Sequence, residues 1–298
     1  MSGTCYVCGG TVWTTRSGSL RDSPSVGVVE CAECGLVVSA QPPQVVIDYV
    51  AGTMHGETQL DVTAARADGA TDTLRRVAKI QPMLNSEDTV LEVGCGSGGF
   101  LHELKRGGVS VFGIELDQAA TSFLTSEGFH VWSDISQMSE AQRQDITVVT
   151  MFHVLEHLRD PRALLQELVV SLPNLRLFFI EIPCSEDLLL TLYGSEAFSH
   201  FTYWSHHEHL HSKRSLEMLL ASIFDVLEVS RLQRYGLGNH LGWLAHGEPG
   251  GQVELSWLEG SLADLGYRSR LVDQGFSDTL WAEARQSHSV ELRIRSEP

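Results

Sequence analysis

Four cysteines fall in the first 34 residues, as Cys5-x-x-Cys8 and Cys31-x-x-Cys34. Two such pairs can bring four thiolates around one tetrahedral Zn2+, with Gly9, Gly10 and Gly35 letting the backbone turn over the sulfurs. Because cysteine would fill every position, the ion is expected to be structural; a catalytic zinc keeps a place for water or substrate. A second constellation is Glu92-Val93-Gly94-Cys95-Gly96-Ser97-Gly98. Its glycines let backbone N–H groups at a helix start approach a nucleotide-like ligand, and by itself the loop suits a dinucleotide, a nucleoside cofactor or simply a tight turn. Glu115, at the end of the next expected strand, adds a carboxylate that can take both hydroxyls of a ribose. Cys95 reads as packing within the turn, since nothing beside it would activate a thiol.

The third constellation gathers His200, His206, His207, His209 and His211. Alternation at 207, 209 and 211 puts three imidazoles on one side of an extended segment. Such a set can supply a general base, with His209 oriented by Glu208 as the candidate pair, or ligands for Zn, Fe or Ni. Earlier in the chain, Glu156 and His157 either cap their loop or reach a substrate, and His153 lies closer to the expected cofactor side. His200, His207 and His211 are expected mostly to pack or cap, and Tyr203 with Trp204 to join the core.

These groups need a frame. Short β-rich runs at 89–93, 109–115, 130–133, 146–151 and 175–182 alternate with helical stretches, which argues for an α/β, doubly wound parallel sheet with helices on both faces. The clearest helix spans 160–172, with Asp160 as N-cap, Pro161 at the first helical position and Leu164, Leu165, Leu168 and Val169 as its buried stripe. An amphipathic helix follows Ser212, then a strand at 225–231, a stretch at 235–244 too rich in glycine for regular core, a helix at 253–266, and strands at 279–285 and 288–295.

The 298 residues are 43% hydrophobic and 20% charged, with a formal charge of -17. That composition fits a globular chain and disfavours nucleic acid as a partner, because no basic stripe offsets the net charge. Arg75, Arg76 and Lys79, and then Lys213 and Arg214, read as solvated helix faces. No apolar run reaches about 18 residues and the N-terminus lacks the pattern of a signal peptide, so the protein is expected to be cytoplasmic and off the membrane.

Leu91 to Phe100 resembles the first motif of class I S-adenosylmethionine (SAM) dependent methyltransferases, an acid followed by GxGxG. The resemblance continues through Phe112-Gly113-Ile114-Glu115 and Trp132-Ser133-Asp134-Ile135 to the run from Phe152 to Pro161. It implies a Rossmann-like SAM-methyltransferase sheet behind an N-terminal four-cysteine zinc ribbon, with SAM and a structural Zn2+ as cofactors. It also implies that Glu92 precedes the cofactor loop, that Gly94, Gly96 and Gly98 line the methionine half of SAM, that Glu115 holds the ribose, and that Asp134 receives the adenine amino group. Met151 to His153 would lie beside the cofactor. The stretch around Glu208 is similar to a His-Glu-His segment of zinc-module sugar C-methyltransferases, where a histidine is the base; a tyrosine commonly precedes it there, and His206 stands in that place.

On this basis residues 1–44 are expected to form the ribbon and 45–298 the methyltransferase domain, with lead-in helices at 45–80, a core at 81–212 and C-terminal strands with a substrate-side insertion at 213–298. The expected activity is methyl transfer to an oxygen or carbon of a small molecule, such as a sugar, a nucleotide-sugar or a natural-product intermediate, by a monomer or homodimer. The ribbon would serve as a lid or as a contact surface. The alternatives are an RNA methyltransferase with a zinc module, a non-catalytic ribbon protein with a vestigial Rossmann domain and, more remotely, a nicotinamide oxidoreductase.

Overall fold

In the N-terminal segment the two cysteine pairs flank a hairpin of β1 (Trp13–Leu20) and β2 (Ser23–Cys31), followed by β3 (Val37–Ser39). The computed structural model describes residues 3–41 and 61–285; the first part of the expected lead-in and the strand expected at 288–295 lie outside these. Helices α1 (Val62–Asp68) and α2 (Ala70–Ile80) then lead into the main sheet. Its parallel strands are β4 (Thr89–Val93), β5 (Ser110–Ile114), β6 (Val131–Trp132), β7 (Val148–Phe152) and β8 (Leu177–Pro183). Every residue of β4 and β7 is buried, as expected of strands covered on both faces by helices. Between the strands run α3 (Gly99–Arg106), α4 (Gln118–Ser126), α5 (Glu140–Asp145) and α6 (Pro161–Ser171). In α6 the Asp160 carboxylate accepts from the Ala163 N–H at 3.0 Å, so the expected cap and start are both present.

After α7 (Glu196–Thr202) comes the two-residue strand β9 (His209–Leu210), which pairs antiparallel with β3 and completes a four-stranded ribbon sheet. The ribbon thus borrows a strand from the core region. Its Cys5, Val7 and Leu36 also belong to the same apolar cluster as Leu155, Ile180 and Leu216. The chain continues through α8 (Lys213–Ala221), β10 (Val226–Leu232), α9 (Leu237–His246), α10 (Gly251–Glu254), α11 (Leu262–Asp273) and β11 (Thr279–Arg285). The second sheet has seven strands in the order β10-β11-β8-β7-β4-β5-β6, with β11 antiparallel to both neighbours.

Two expectations are corrected here. The glycine-rich stretch at 235–244 is largely helix α9, because Gly238 and Gly242, four residues apart on one face, let α9 press against Gly251; a Cβ at Gly242 would meet the Gly251 Cα at 2.6 Å. The helix expected at 253–266 is instead two, since Gly260 takes a left-handed φ of 72° and Ser261 caps a new start by accepting from the Asp264 N–H. Among the described residues no helix is long and apolar enough to cross a membrane.

Candidate active site

At the carboxyl end of β4 the chain turns through Gly94, Gly96 and Gly98, with φ of 71°, 49° and 70°. The turn is strapped to the end of β5, where the Gly94 and Cys95 N–H groups donate to the Ile114 carbonyl at 2.8 and 3.1 Å. Gly94 and Gly98 are also pressed against neighbours: a Cβ would come 2.3 Å from Val154 at the first and 2.2 Å from Leu124 at the second. At Gly96 a Cβ would meet nothing within 4 Å, because that glycine faces a cavity of about 380 Å3. The same cavity is lined by Gly94, Glu115, Asp134, His153 and His157. Glu115 is held rigidly, its Oε2 accepting from Gly96 N–H at 2.7 Å and its Oε1 from Asp117 N–H at 2.8 Å. Each carboxylate oxygen keeps a second lone pair for a ligand. A nucleoside with a free ribose diol fits a cradle of this kind.

Three residues expected beside the cofactor stand back from this cavity. Gly98 is the left-handed N-cap of α3, Met151 is fully buried in the core, and Glu92 lies inside the sheet, where burial pushes its pKa up to about 8 against the pull of Arg76. None of them lines the opening.

A second cavity, of about 330 Å3, lies on the other side of His153 and His157. Its walls include Arg21 from the β1–β2 turn, Phe198, Trp204, His207, Arg234 and Trp243. The Arg21 guanidinium sits 3.9 Å over the Trp204 ring, so the ribbon contributes a cation to this wall, and half-buried Trp204, expected in the core, is wall instead. The walls of the two cavities touch: His157 of the first and His207 of the second bring their rings to 5.0 Å, and Arg234 Nη1 of the second lies 2.9 Å from His153 Nε2 of the first.

His153 has a φ of 55°, the one left-handed non-glycine among the described residues. Its backbone N–H donates to the Glu181 carbonyl at 2.8 Å, and its ring spans two buried carboxylates, Nδ1 to Glu156 Oε1 at 3.2 Å and Nε2 to Glu181 Oε1 at 3.2 Å. Burial disfavours the charged ring, but hydrogen bonds to Glu156 and Glu181 outweigh that and raise its pKa. Glu181 is fully buried and also pairs with Arg76 at 2.7 Å and Arg75 at 2.8 Å. Arg75 and Arg76 are therefore not solvated helix-face residues: the acid in β8 draws them inward.

Glu181 yields a prediction. Burial opposes its ionisation, yet His153 and Arg76 hold its pKa well below the usual carboxylate range. Removing the charge leaves Arg76 without its counterion and Arg75 with Asp72 alone, so Glu181→Gln should lower stability by about 3 kcal/mol at neutral pH in urea unfolding. A carboxylate with a depressed folded pKa stabilises above its unfolded value and loses that contribution as pH falls through the folded one. The gap between wild type and variant should therefore shrink as the solution is acidified; a gap that is absent at pH 7, or grows in acid, contradicts the assignment.

The pair expected to carry acid–base chemistry is not brought together. His209 is buried in β9 against the Tyr6 ring at 4.8 Å, lines neither cavity, and has its pKa pushed down to about 4 by burial. Glu208 turns the other way and pairs with Arg159 at 3.4 Å. His206 stacks on Trp204 at 3.8 Å and also lines neither cavity, while His211 is buried between Tyr6 and Ser215. The expected alternation holds for His209 and His211, which both lie against Tyr6 with rings 6.2 Å apart, but not for His207, which precedes the extended segment beginning at His209. His207 instead faces the second cavity.

The four N-terminal sulfurs lie within 4.8 Å of one another, with Cys5 to Cys34 at 3.7 Å and Cys8 to Cys31 at 3.5 Å. Four Zn–S bonds of about 2.3 Å in tetrahedral array separate sulfurs by about 3.8 Å, so this donor set fits a closed zinc site. The Gly10 N–H donates to Cys8 Sγ at 3.3 Å.

The family model described as a methyltransferase domain matches residues 64–223, more than half of the chain. The chain belongs to the methyltransferase domain family. A ubiquinone biosynthesis O-methyltransferase from Hahella chejuensis is 30% identical to this methyltransferase over 116 residues, which cover 36% of this chain and 49% of that protein. The match thus spans about half the length of that relative. Among solved structures, a methyltransferase from Haloferax volcanii in complex with its activator superposes with a TM-score of 0.51 at 13% identity, covering 82% of this chain and all of that one. The plantazolicin methyltransferase BamL, in complex with a triazolic desmethylPZN analog and S-adenosylhomocysteine (SAH), gives 0.50 at 14% identity over 80% of this chain and 95% of its own. At these identities the two structures speak for the fold of the methyltransferase.

The residues that reasoning from sequence missed carried some signal. Glu181 interrupts Leu177-Phe178-Phe179-Ile180, and a lone acid in a strand buried on both faces demands cationic partners. Asp72 and Arg234, which pair beside His153, lie 162 residues apart and carried none.

Proposed function

We propose that this methyltransferase moves the methyl group of SAM to an oxygen or carbon of a small-molecule acceptor. The supporting observation is a pair of neighbouring cavities whose walls touch through His157–His207 and His153–Arg234, one shaped by Gly96 and Glu115, the other walled by aromatic side chains and Arg21. SAM supplies an electrophilic methyl on a sulfonium. In this reading Glu115 accepts the ribose hydroxyls, Asp134 faces the adenine, and Gly94 and Gly96 admit the methionine end. His153 takes the acceptor's proton at Nε2 as the new bond forms, in the place of the base expected at His209. When the ring is neutral Arg234 donates to that nitrogen and must yield it; the imidazolium donates to Glu181 and Glu156 instead.

The acceptor cavity and the charge of -17 favour a small molecule such as a sugar, a nucleotide-sugar or a natural-product intermediate over RNA. The name of the ubiquinone relative supports an oxygen acceptor. The zinc proposed at the four cysteines is structural, and the ribbon acts as a lid through Arg21.

The test is to incubate zinc-loaded protein and methyl-labelled SAM with a panel of hydroxylated small molecules and, in parallel, with RNA. Label is expected in the small-molecule fraction together with SAH. Label in RNA alone contradicts the acceptor class.

A further inference from the structure

Glu156, His157 and His207 each offer a donor atom lying within 4.8 Å of the donors of the other two. Their surroundings decide which atoms these are. His157 Nδ1 lies 2.7 Å from the His206 carbonyl, and His207 Nδ1 lies 3.2 Å from the Thr202 carbonyl. A carbonyl only accepts, so each Nδ1 carries a proton and Nε2 is the ring atom that could face a metal ion. Glu156 Oε1 is held by His153, whereas its Oε2 is buried without a hydrogen-bond partner. A carboxylate oxygen in that state is costly unless a cation or donor faces it. Imidazoles fixed through one nitrogen by a backbone carbonyl, beside a carboxylate held by another side chain, are the usual surroundings of a protein-bound metal ion.

We propose that Glu156, His157 and His207 form a second metal site, for a divalent first-row transition ion, at the junction of the two cavities. Two nitrogens and one oxygen suit Mn2+, Fe2+, Co2+ or Zn2+; Mg2+ and Ca2+ prefer oxygen alone. Three protein ligands leave coordination positions over, and the site lies between the two cavities, since His157 lines one and His207 the other. An ion there would draw electron density from an acceptor oxygen and ease transfer of its proton to His153. In that transfer the O–H bond breaks towards His153 Nε2, an oxygen lone pair forms the O–CH3 bond, and the electron pair of the breaking S–CH3 bond stays on sulfur. This role rests on the methyl-transfer reading; the binding site does not.

Mn2+ is the probe, since a four-thiolate site prefers softer ions. Zinc-loaded protein is titrated with Mn2+ in the absence of SAM and acceptor, and free ion is followed by electron paramagnetic resonance. The expected result is one equivalent bound per chain, with affinity falling about tenfold or more in Glu156→Gln and in His207→Asn. No saturable Mn2+ and no zinc beyond the ribbon's equivalent, or wild-type affinity in both variants, overturns the site. If Glu156→Gln fails to fold, half-buried His207 decides alone through His207→Asn. SAM is titrated separately into the same sample. SAM binding without Mn2+ ends the metal site and leaves methyl transfer standing; Mn2+ binding without SAM does the reverse.

Discussion

Chelating the zinc proposed at Cys5, Cys8, Cys31 and Cys34 is expected to unfold the ribbon and lower the melting temperature of the whole chain by about 10 °C. In small zinc modules the metal supplies about 10 kcal/mol or more of apparent binding free energy, far beyond what a few apolar side chains can replace. The ribbon is also not a detachable bead. β3 pairs with β9 through Val37↔Leu210 and Val38↔His209, and Val7 and Leu36 are buried in the main core cluster. Losing those two side chains removes about 1.5 kcal/mol each, and for a chain of this size each kcal/mol shifts the melt by about 2–4 °C. SAM binding should survive chelation, because no ribbon residue lines the glycine-loop cavity, while acceptor binding should weaken with the loss of Arg21. Scanning calorimetry with zinc content measured in parallel checks this. A zinc-free protein with an unchanged melt contradicts it.

Replacing His153 by Asn should lower kcat by about 10²- to 10⁴-fold, the usual worth of a positioned base, while leaving SAM affinity within about threefold. Asn is the informative substitute because it tolerates the left-handed φ of 55° that most side chains resist. It keeps a polar group between Glu156 and Glu181 but cannot take the proton. Steady-state kinetics beside SAM titration separate the outcomes. An unchanged kcat removes His153 from the proton transfer, and a lost SAM site with normal kcat at saturation would make it a positioning residue only.

Much of the fold was legible because its signals are local. The strands expected at 89–93 and 279–285 appear with those bounds, and Asp160-Pro161 marks the start of α6 as capping chemistry requires. The two CxxC pairs converge because hairpin β1–β2 returns the chain to its starting point. What was not legible depends on partners distant in sequence. Gly242 looks like a loop residue until Gly251 is placed against it, and Arg75 and Arg76 look solvated until β8 presents Glu181. A period of two joined His207 to His209 and His211, but the strand begins only at His209, which leaves His207 at the cavity and His209 in the ribbon sheet. Compositional clustering marked the right segment; only the backbone could choose among its imidazoles.

The central claim is that the glycine loop and Glu115 hold SAM. Calorimetric titration of SAM into zinc-loaded protein, with SAH and NADH as comparators and Glu115→Ala as the variant, tests it most directly. The account predicts binding of SAM and SAH but not NADH, weakened about tenfold or more when the Glu115 carboxylate is removed, since hydrogen bonds to a charged group contribute about 1.5–3 kcal/mol. Folded wild-type protein that binds neither SAM nor SAH, or that binds NADH instead, would contradict it.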